Sequence, residues 1–244
     1  MTSSLALSCR GLSVNLGGQP ILQDFDLSVR RGRVHALVGR NGAGKSTTYR
    51  AILGLIAPDA GSVTVLGKSR TRTSLRHIGA SINGPALYPH LSAMDNLMIH
   101  CRLLGLPRGE ARRALAAVEL PDTRKRASAF STGMKARLAL AIAVLGSPEI
   151  LLLDEPHNGL DPQGIVELRG FLHQWAARGG AVLMSSHQLH EVAHMTDDLT
   201  VLSQGRAAYS GPLAEFAAPE QLEERFFSLT APGASNPTGT EGHS

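Results

Sequence analysis

Cysteine is scarce in this chain of 244 residues: Cys9 and Cys101 stand far apart and form no Cys-x-x-Cys pair. Neither a disulfide framework nor a thiolate metal knuckle can be built from them, so a reducing compartment is expected, with both thiols buried as small apolar groups. Long hydrophobic runs are also missing. No stretch approaches the roughly 18 apolar residues that a membrane-crossing helix needs, and the N-terminus has no basic region ahead of an apolar core, so no secretion signal is expected. Charge of one sign is not concentrated either. The net charge is +4, and the small group Arg124, Lys125 and Arg126 reads as a solvated face, so no nucleic-acid partner is expected.

What is present is an ordinary globular composition, 43% apolar, enough for a sizeable core. Residues 34–38 form a short apolar run that ends at Gly39. The same form recurs at 150–153, ending in Asp154, and at 181–184, ending in Ser185, Ser186 and His187. Apolar runs with polar residues at their carboxyl ends predict a mostly parallel sheet, with ligands bound outside those ends. Helical patterns at 46–55 and 162–177 fall between the runs, so the fold class is α/β. Residues 5–29 alternate apolar and polar around Gly17 and Gly18, as an antiparallel β region does. From about 84 to 146 no strand pattern occurs. Ser92 and Asp95 resemble a capping box, Pro107 opens a second helix, and Leu138, Ile142 and Leu145 mark a face of a third, which predicts an inserted helical subdomain. The expected organisation is one domain over 1–228 followed by a disordered tail over 229–244, rich in Gly, Pro, Ser and Thr.

The most specific motif is Gly39-Arg40-Asn41-Gly42-Ala43-Gly44-Lys45-Ser46-Thr47, a complete phosphate loop between a predicted strand and a predicted helix. Its glycines let the backbone curl until successive N–H groups face one centre, and the following helix adds its positive end. Lys45 can reach the β- and γ-phosphates of a nucleotide, and the Ser46 hydroxyl can ligate Mg²⁺. The second motif is Leu151-Leu152-Leu153-Asp154-Glu155-Pro156, two carboxylates at the end of a buried strand. Standing alone such a pair is a common surface turn. Beside a phosphate loop, Asp154 suits the Mg²⁺ shell and Glu155 suits the orientation or deprotonation of an attacking water.

These motifs, with the Asn158-Gly159-Leu160-Asp161 turn and His187 after a third strand, resemble the ATP-binding-cassette (ABC) transporter ATPases, in that order and over about residues 5–216. The family's signature loop, ideally LSGGQ, is matched by Phe130-Ser131-Thr132-Gly133-Met134. The resemblance implies a phosphate-loop NTPase core, an ATPase using ATP and Mg²⁺, and a dimer of two copies. In that dimer Ser131 and Gly133 of one copy, with Asp161, close on the nucleotide of the other while His187 contacts the γ-phosphate. It also implies a separate transmembrane permease as partner and a place on the cytoplasmic face of the membrane. Residues 84–91, Asn96-Leu97 and the Ser-x-Gly-Met-Lys form of the signature are similar to ATPase subunits of peptide-antibiotic exporters such as those for bacitracin and lantibiotics.

Two positions depart from the family pattern. Leu16 stands where an aromatic residue usually stacks on adenine, and Asn83 stands where a Gln or Glu usually links Mg²⁺ and the attacking water to the permease side. Asn83 precedes Gly84, and Asn-Gly is itself a strong turn signal. Rival readings exist. His190-Glu191-Val192-Ala193-His194 matches the HExxH pattern of zinc proteases, but Ser185-Ser186-His187 followed by Glu191 matches the ABC pattern at the same place without a metal. A soluble ABC ATPase working on ribosomes or DNA repair usually carries two cassettes or a long coiled-coil insertion, and neither occurs here. Kinase and GTPase readings leave Ser131 to Gly133 and His187 without a role.

Overall fold

The computed structural model describes residues 4–84 and 86–231. The chain begins with β1 (Leu5–Leu16), β2 (Gln19–Arg30), β3 (Val34–Val38) and α1 (Lys45–Ile52), followed by β4 (Ala60–Val65), β5 (Lys68–Ser69) and β6 (Ile78–Ser81). Three helices come next: α2 (Ala93–Leu104), α3 (Gly109–Ala117) and α4 (Thr132–Ala143). The chain then returns to β7 (Ile150–Asp154), α5 (Pro162–Ala177), β8 (Ala181–Ser186), α6 (Leu189–Met195), β9 (Asp198–Ser203) and β10 (Arg206–Pro212). Two short helices, α7 (Leu213–Phe216) and α8 (Leu222–Thr230), complete it.

One sheet has the order β2-β1-β4-β5 and is antiparallel throughout, its first hairpin turning at Gly17 and Gly18. The other has the order β10-β9-β3-β8-β7-β6, and all its pairings are parallel except that of β10 with β9. The fold is the expected phosphate-loop architecture, a mostly parallel sheet with an antiparallel β region beside it. Strand side chains alternate between faces, and that period explains why the apolar runs are continuous. On β7, Leu151 and Leu153 join the core beneath α2 to α5, while Ile150 and Leu152 join the core shared with the antiparallel sheet. Both faces are covered, so no polar alternation survives.

The helices start where their sequences can satisfy free backbone N–H groups. Ser92 caps α2, accepting from the Asp95 N–H at 3.1 Å while its own hydroxyl donates to Asp95 Oδ2 at 2.6 Å. Ser131 accepts from the Met134 N–H at 3.2 Å and opens α4. Asp161 accepts from the Gly164 N–H at 2.8 Å ahead of Pro162 in α5. The end of α4 lies against β6 at Gly79, where any Cβ would meet the Ala143 carbonyl, so glycine alone permits that approach. α8 runs to Thr230, whose hydroxyl donates to the Phe226 carbonyl at 2.9 Å. The expected tail lies outside the described residues from 232 onward.

His35 is an exception to the apolar pattern in the central strand β3. It is buried, its Nε2 pairs with the Thr200 hydroxyl at 2.8 Å, and its Nδ1 has no partner among the described residues. Burial pushes its pKa down to about 4, outweighing the opposing pull of Asp198. Unfolding restores an ordinary histidine, so between about pH 6.5 and 4 the unfolded chain binds the extra proton. The stability that a neutral His35 permits is therefore complete above about pH 6.5 and is lost as pH falls towards 4. Urea unfolding should show about 3 kcal/mol less stability at pH 4 than at pH 7 from this group, and His35→Gln should flatten that part of the profile.

Candidate nucleotide site

Parallel pairing brings the carboxyl ends of four strands level. Val38 lies opposite Ser186, Ser185 opposite Asp154, and Leu153 opposite Ser81. The phosphate loop, the two carboxylates, Asn83 and His187 therefore leave the sheet at one edge, where ligands of open α/β sheets bind.

In the phosphate loop Gly42 and Gly44 sit at φ 83° and 113°, a region that other residues rarely enter. Gly44 caps α1, whose first turn carries no carboxylate, so the helix keeps its positive end free for an anion. Lys45 is buried, and its Nζ donates to the Gly39 carbonyl at 2.6 Å. Burial lowers its pKa, while Glu155 and Asp154 act in the opposite direction. A cleft of about 420 Å³ opens over the loop, within the usual size of small-ligand pockets. Arg40, Asn41, Ser46 and Thr47 line it together with Asp154 and Glu155. An anion cradle, an ammonium, a hydroxyl and two carboxylates in one cleft fit a nucleotide triphosphate with a hard, oxygen-loving cation.

The carboxylates are held by Ser185. Its hydroxyl donates to Asp154 Oδ1 at 2.5 Å and accepts from the Glu155 N–H at 3.0 Å, fixing both residues from the neighbouring strand. Glu155 adopts φ 50°, an unfavourable backbone for glutamate that these bonds help to maintain. Its Oε2 accepts from the His187 backbone N–H at 3.3 Å and pairs with His187 Nδ1 at 2.8 Å. Asn83 sits at φ 59° ahead of Gly84 at φ 80°, and its backbone N–H donates to Asp154 Oδ2 at 3.4 Å. The left-handed turn suits asparagine, and the contact with Asp154 is made by the main chain.

Other expected site residues lie elsewhere. Ser131, Gly133 and Asp161 line a second cleft of about 780 Å³ between α4, α5 and the sheet, which meets the first at Asp154 and Glu155. Leu16 is exposed at the end of β1, and Ile21 is the apolar side chain lining the phosphate-loop cleft. His190 and His194 lie exposed on α6 with ring centroids 4.9 Å apart. Among the described residues no group of three potential His, Cys, Asp or Glu ligands gathers there.

Sequence reasoning passed over three contributors. Tyr49, fully buried on α1, sends its hydroxyl to the Leu153 and Leu183 carbonyls at 3.3 and 3.4 Å and so pins the phosphate-loop helix to β7 and β8. Ser185 was visible as a polar strand end but not as the bridge between two carboxylates. His157 lies buried beside Glu155 on the turn after β7. The tyrosine four residues after the loop lysine and the histidine two residues after Glu155 were local signals; the Ser185 bridge depends on register.

The fold and this edge define a phosphate-loop nucleotide-binding protein. The model of the ABC transporter family matches residues 22–158. The lantibiotic transport ATP-binding protein SrtF of Streptococcus pyogenes is 38% identical over 221 residues, covering 90% of this chain and 95% of that protein. The bacitracin transport ATP-binding protein BcrA of Bacillus licheniformis is 37% identical over 209 residues, 83% of this chain and 68% of its own length. A solved structure described as the ATP binding subunit of an ABC transporter superposes with a TM-score of 0.82 at 30% identity, covering 92% of this chain and 99% of that one. The chain belongs to the ABC transporter family as an ATP-binding subunit, a group whose members are ATPases in general. Among the described residues no helix is long and apolar enough to cross a membrane.

Lys45 places a cation where phosphate oxygens would bind, and charge-assisted bonds in a buried site are strong. Lys45→Ala should weaken ATP binding about a hundredfold or more in calorimetry. ATP affinity equal to that of the wild type would show that the loop backbone suffices.

Proposed function

We propose that the chain hydrolyses ATP as a face-to-face pair of copies and so drives a separate permease. The observation that carries this reading is the convergence of the phosphate loop, Asp154 and Glu155 in one cleft. Residues 39–47 bind the phosphates, Lys45 compensates their charge, and Glu155 accepts a proton from water. The water oxygen forms a bond to the γ-phosphorus as the bond to the ADP oxygen breaks, and phosphate leaves. The Ser46 hydroxyl and the Asp154 carboxylate are the donors that would hold Mg²⁺. When bound, Mg²⁺ would neutralise phosphate charge. Asn83 lies beside Asp154, and its side chain would act through water and chiefly in coupling to the permease.

Pairing is supported by the placement of the signature loop. Ser131 and Gly133 do not line their own chain's phosphate-loop cleft, so the open start of α4 is available to the γ-phosphate of a second copy. Asp161 would join that contact, and His187 would reach the γ-phosphate once the pair closes. Residues 1–228 act as one nucleotide-binding domain in this reading. The relatives' names, lantibiotic and bacitracin transport, support a peptide-antibiotic class of cargo and a place on the cytoplasmic face of the membrane.

Glu155→Gln keeps the shape of the site but removes the base. Turnover should vanish while ATP and Mg²⁺ still produce a dimer in size-exclusion chromatography with light scattering. Hydrolysis at the wild-type rate, or a monomer at saturating ATP, would overturn the respective half of the proposal. Leu16 offers adenine an aliphatic surface, forgoing stacking worth on the order of 1 kcal/mol. Leu16→Tyr should tighten ATP binding several-fold, and unchanged affinity would place the base elsewhere, for example against Ile21.

A further inference from the structure

Glu155 is approached by a second imidazole. The side chain of His157 is fully buried, and its Nε2 lies 3.6 Å from Glu155 Oε2 and 3.3 Å from the Ser186 hydroxyl. Its ring centroid is 6.3 Å from that of His187, so Glu155 Oε2 is faced by both histidines. The His157 tautomer is assigned from its partners. Ser186 has one proton, and its hydroxyl donates to the Gln188 carbonyl at 3.2 Å, so towards His157 it can only accept. With the proton on Nε2, His157 donates to Ser186 Oγ at 3.3 Å and turns the same N–H dipole towards Glu155 Oε2, 3.6 Å away. Nδ1 is then a bare acceptor, buried with no partner among the described residues.

We propose that His157 is a positioning residue for Glu155, which together with His187 turns N–H groups towards Oε2 and leaves Oε1 as the oxygen that takes the proton from water. This rests on the reading of Glu155 as the base. Oε2 accepts from the His187 backbone N–H and pairs with His187 Nδ1, with His157 Nε2 3.6 Å away, near it but beyond a direct hydrogen bond, whereas Oε1 has no hydrogen-bond partner among the described residues. A carboxylate with one oxygen saturated and the other open keeps a single basic atom at a fixed place, which is what general-base catalysis requires.

Two features set this role apart from filling space. An unpaired buried ring nitrogen lowers stability, so an apolar side chain of similar volume would serve packing better than histidine does. Burial also lowers the imidazole's pKa, against the opposing pull of Glu155, so the ring stays neutral near neutral pH and donates one hydrogen without adding charge. His157 further ties the base to the turn before α5, because its carbonyl accepts from the Leu160 N–H at 3.1 Å.

The test compares three substitutions in the full chain by ATPase kinetics, ATP affinity and thermal unfolding. His157→Leu should lower kcat by about tenfold or more, with KM and ATP affinity little changed and Tm equal or higher. The amide nitrogen of glutamine lies as many bonds from Cα as Nε2, and that of asparagine as many as Nδ1. His157→Gln should therefore keep most of kcat while His157→Asn does not. That order, Gln above Asn, is required whether or not the leucine variant folds, and equal losses or no loss in both would overturn the proposal. Glu155→Gln is measured beside them. If it is inactive while the His157 variants match the wild type, this inference fails alone. If it hydrolyses normally, the reading of Glu155 as the base fails.

Discussion

The register in which β7 lies beside β8 governs the site. Asp154 falls opposite Ser185, and the Ser185 hydroxyl then serves two neighbours at once, donating to the Asp154 carboxylate and accepting from the Glu155 backbone. A slip of one residue would turn every side chain of β7 to the other face. It would move Leu151 and Leu153 out of one core, Ile150 and Leu152 out of the other, and the carboxylates away from the phosphate loop. The apolar contacts on both faces thus hold the chemistry in place, and the buried Tyr49 hydroxyl links α1 to the same strands.

Strain is placed where that framework can bear it. Glu155 and Asn83 both occupy the left-handed region, and both contact the Asp154 and Ser185 pair through backbone N–H groups. Backbone that is unfavourable in isolation persists only where its surroundings over-determine it. The result is a Glu155 carboxylate aimed by the strand ends and restrained by histidines on two different loops.

In the proposed pairing one chain supplies two half-sites, each completed by the other copy. The phosphate loop and the carboxylates share one cleft, while the capped start of α4 and the turn before α5 line another that meets it at the carboxylates. Helix starts with free N–H groups attract anions, and the start of α4 is separated from its own phosphate loop. This division gives the proposed pairing its physical motive: ATP supplies the charge that each half lacks a partner for.

The sequence by itself determined the elements whose causes are local. Continuous apolar runs with polar ends called for buried parallel strands, alternation around Gly17 and Gly18 called for a hairpin, and Ser92 and Pro107 announced helix starts. The phosphate loop was legible because its backbone conformation demands glycine at Gly42 and Gly44, a requirement written in residue type alone. Other features were decided only by the tertiary structure. Ser185 became a bridge through strand register, Ile21 came to line the phosphate-loop cleft through the packing of the hairpin, and Asn83 met Asp154 through its main chain because of a left-handed turn. His157 stands two residues after Glu155, but its other neighbour, Ser186, ends β8, and only the tertiary structure brings the three together. Periodicity and residue chemistry act within a few positions of the chain, whereas the distance between side chains on separate strands is set by how the cores pack on both faces of the sheet.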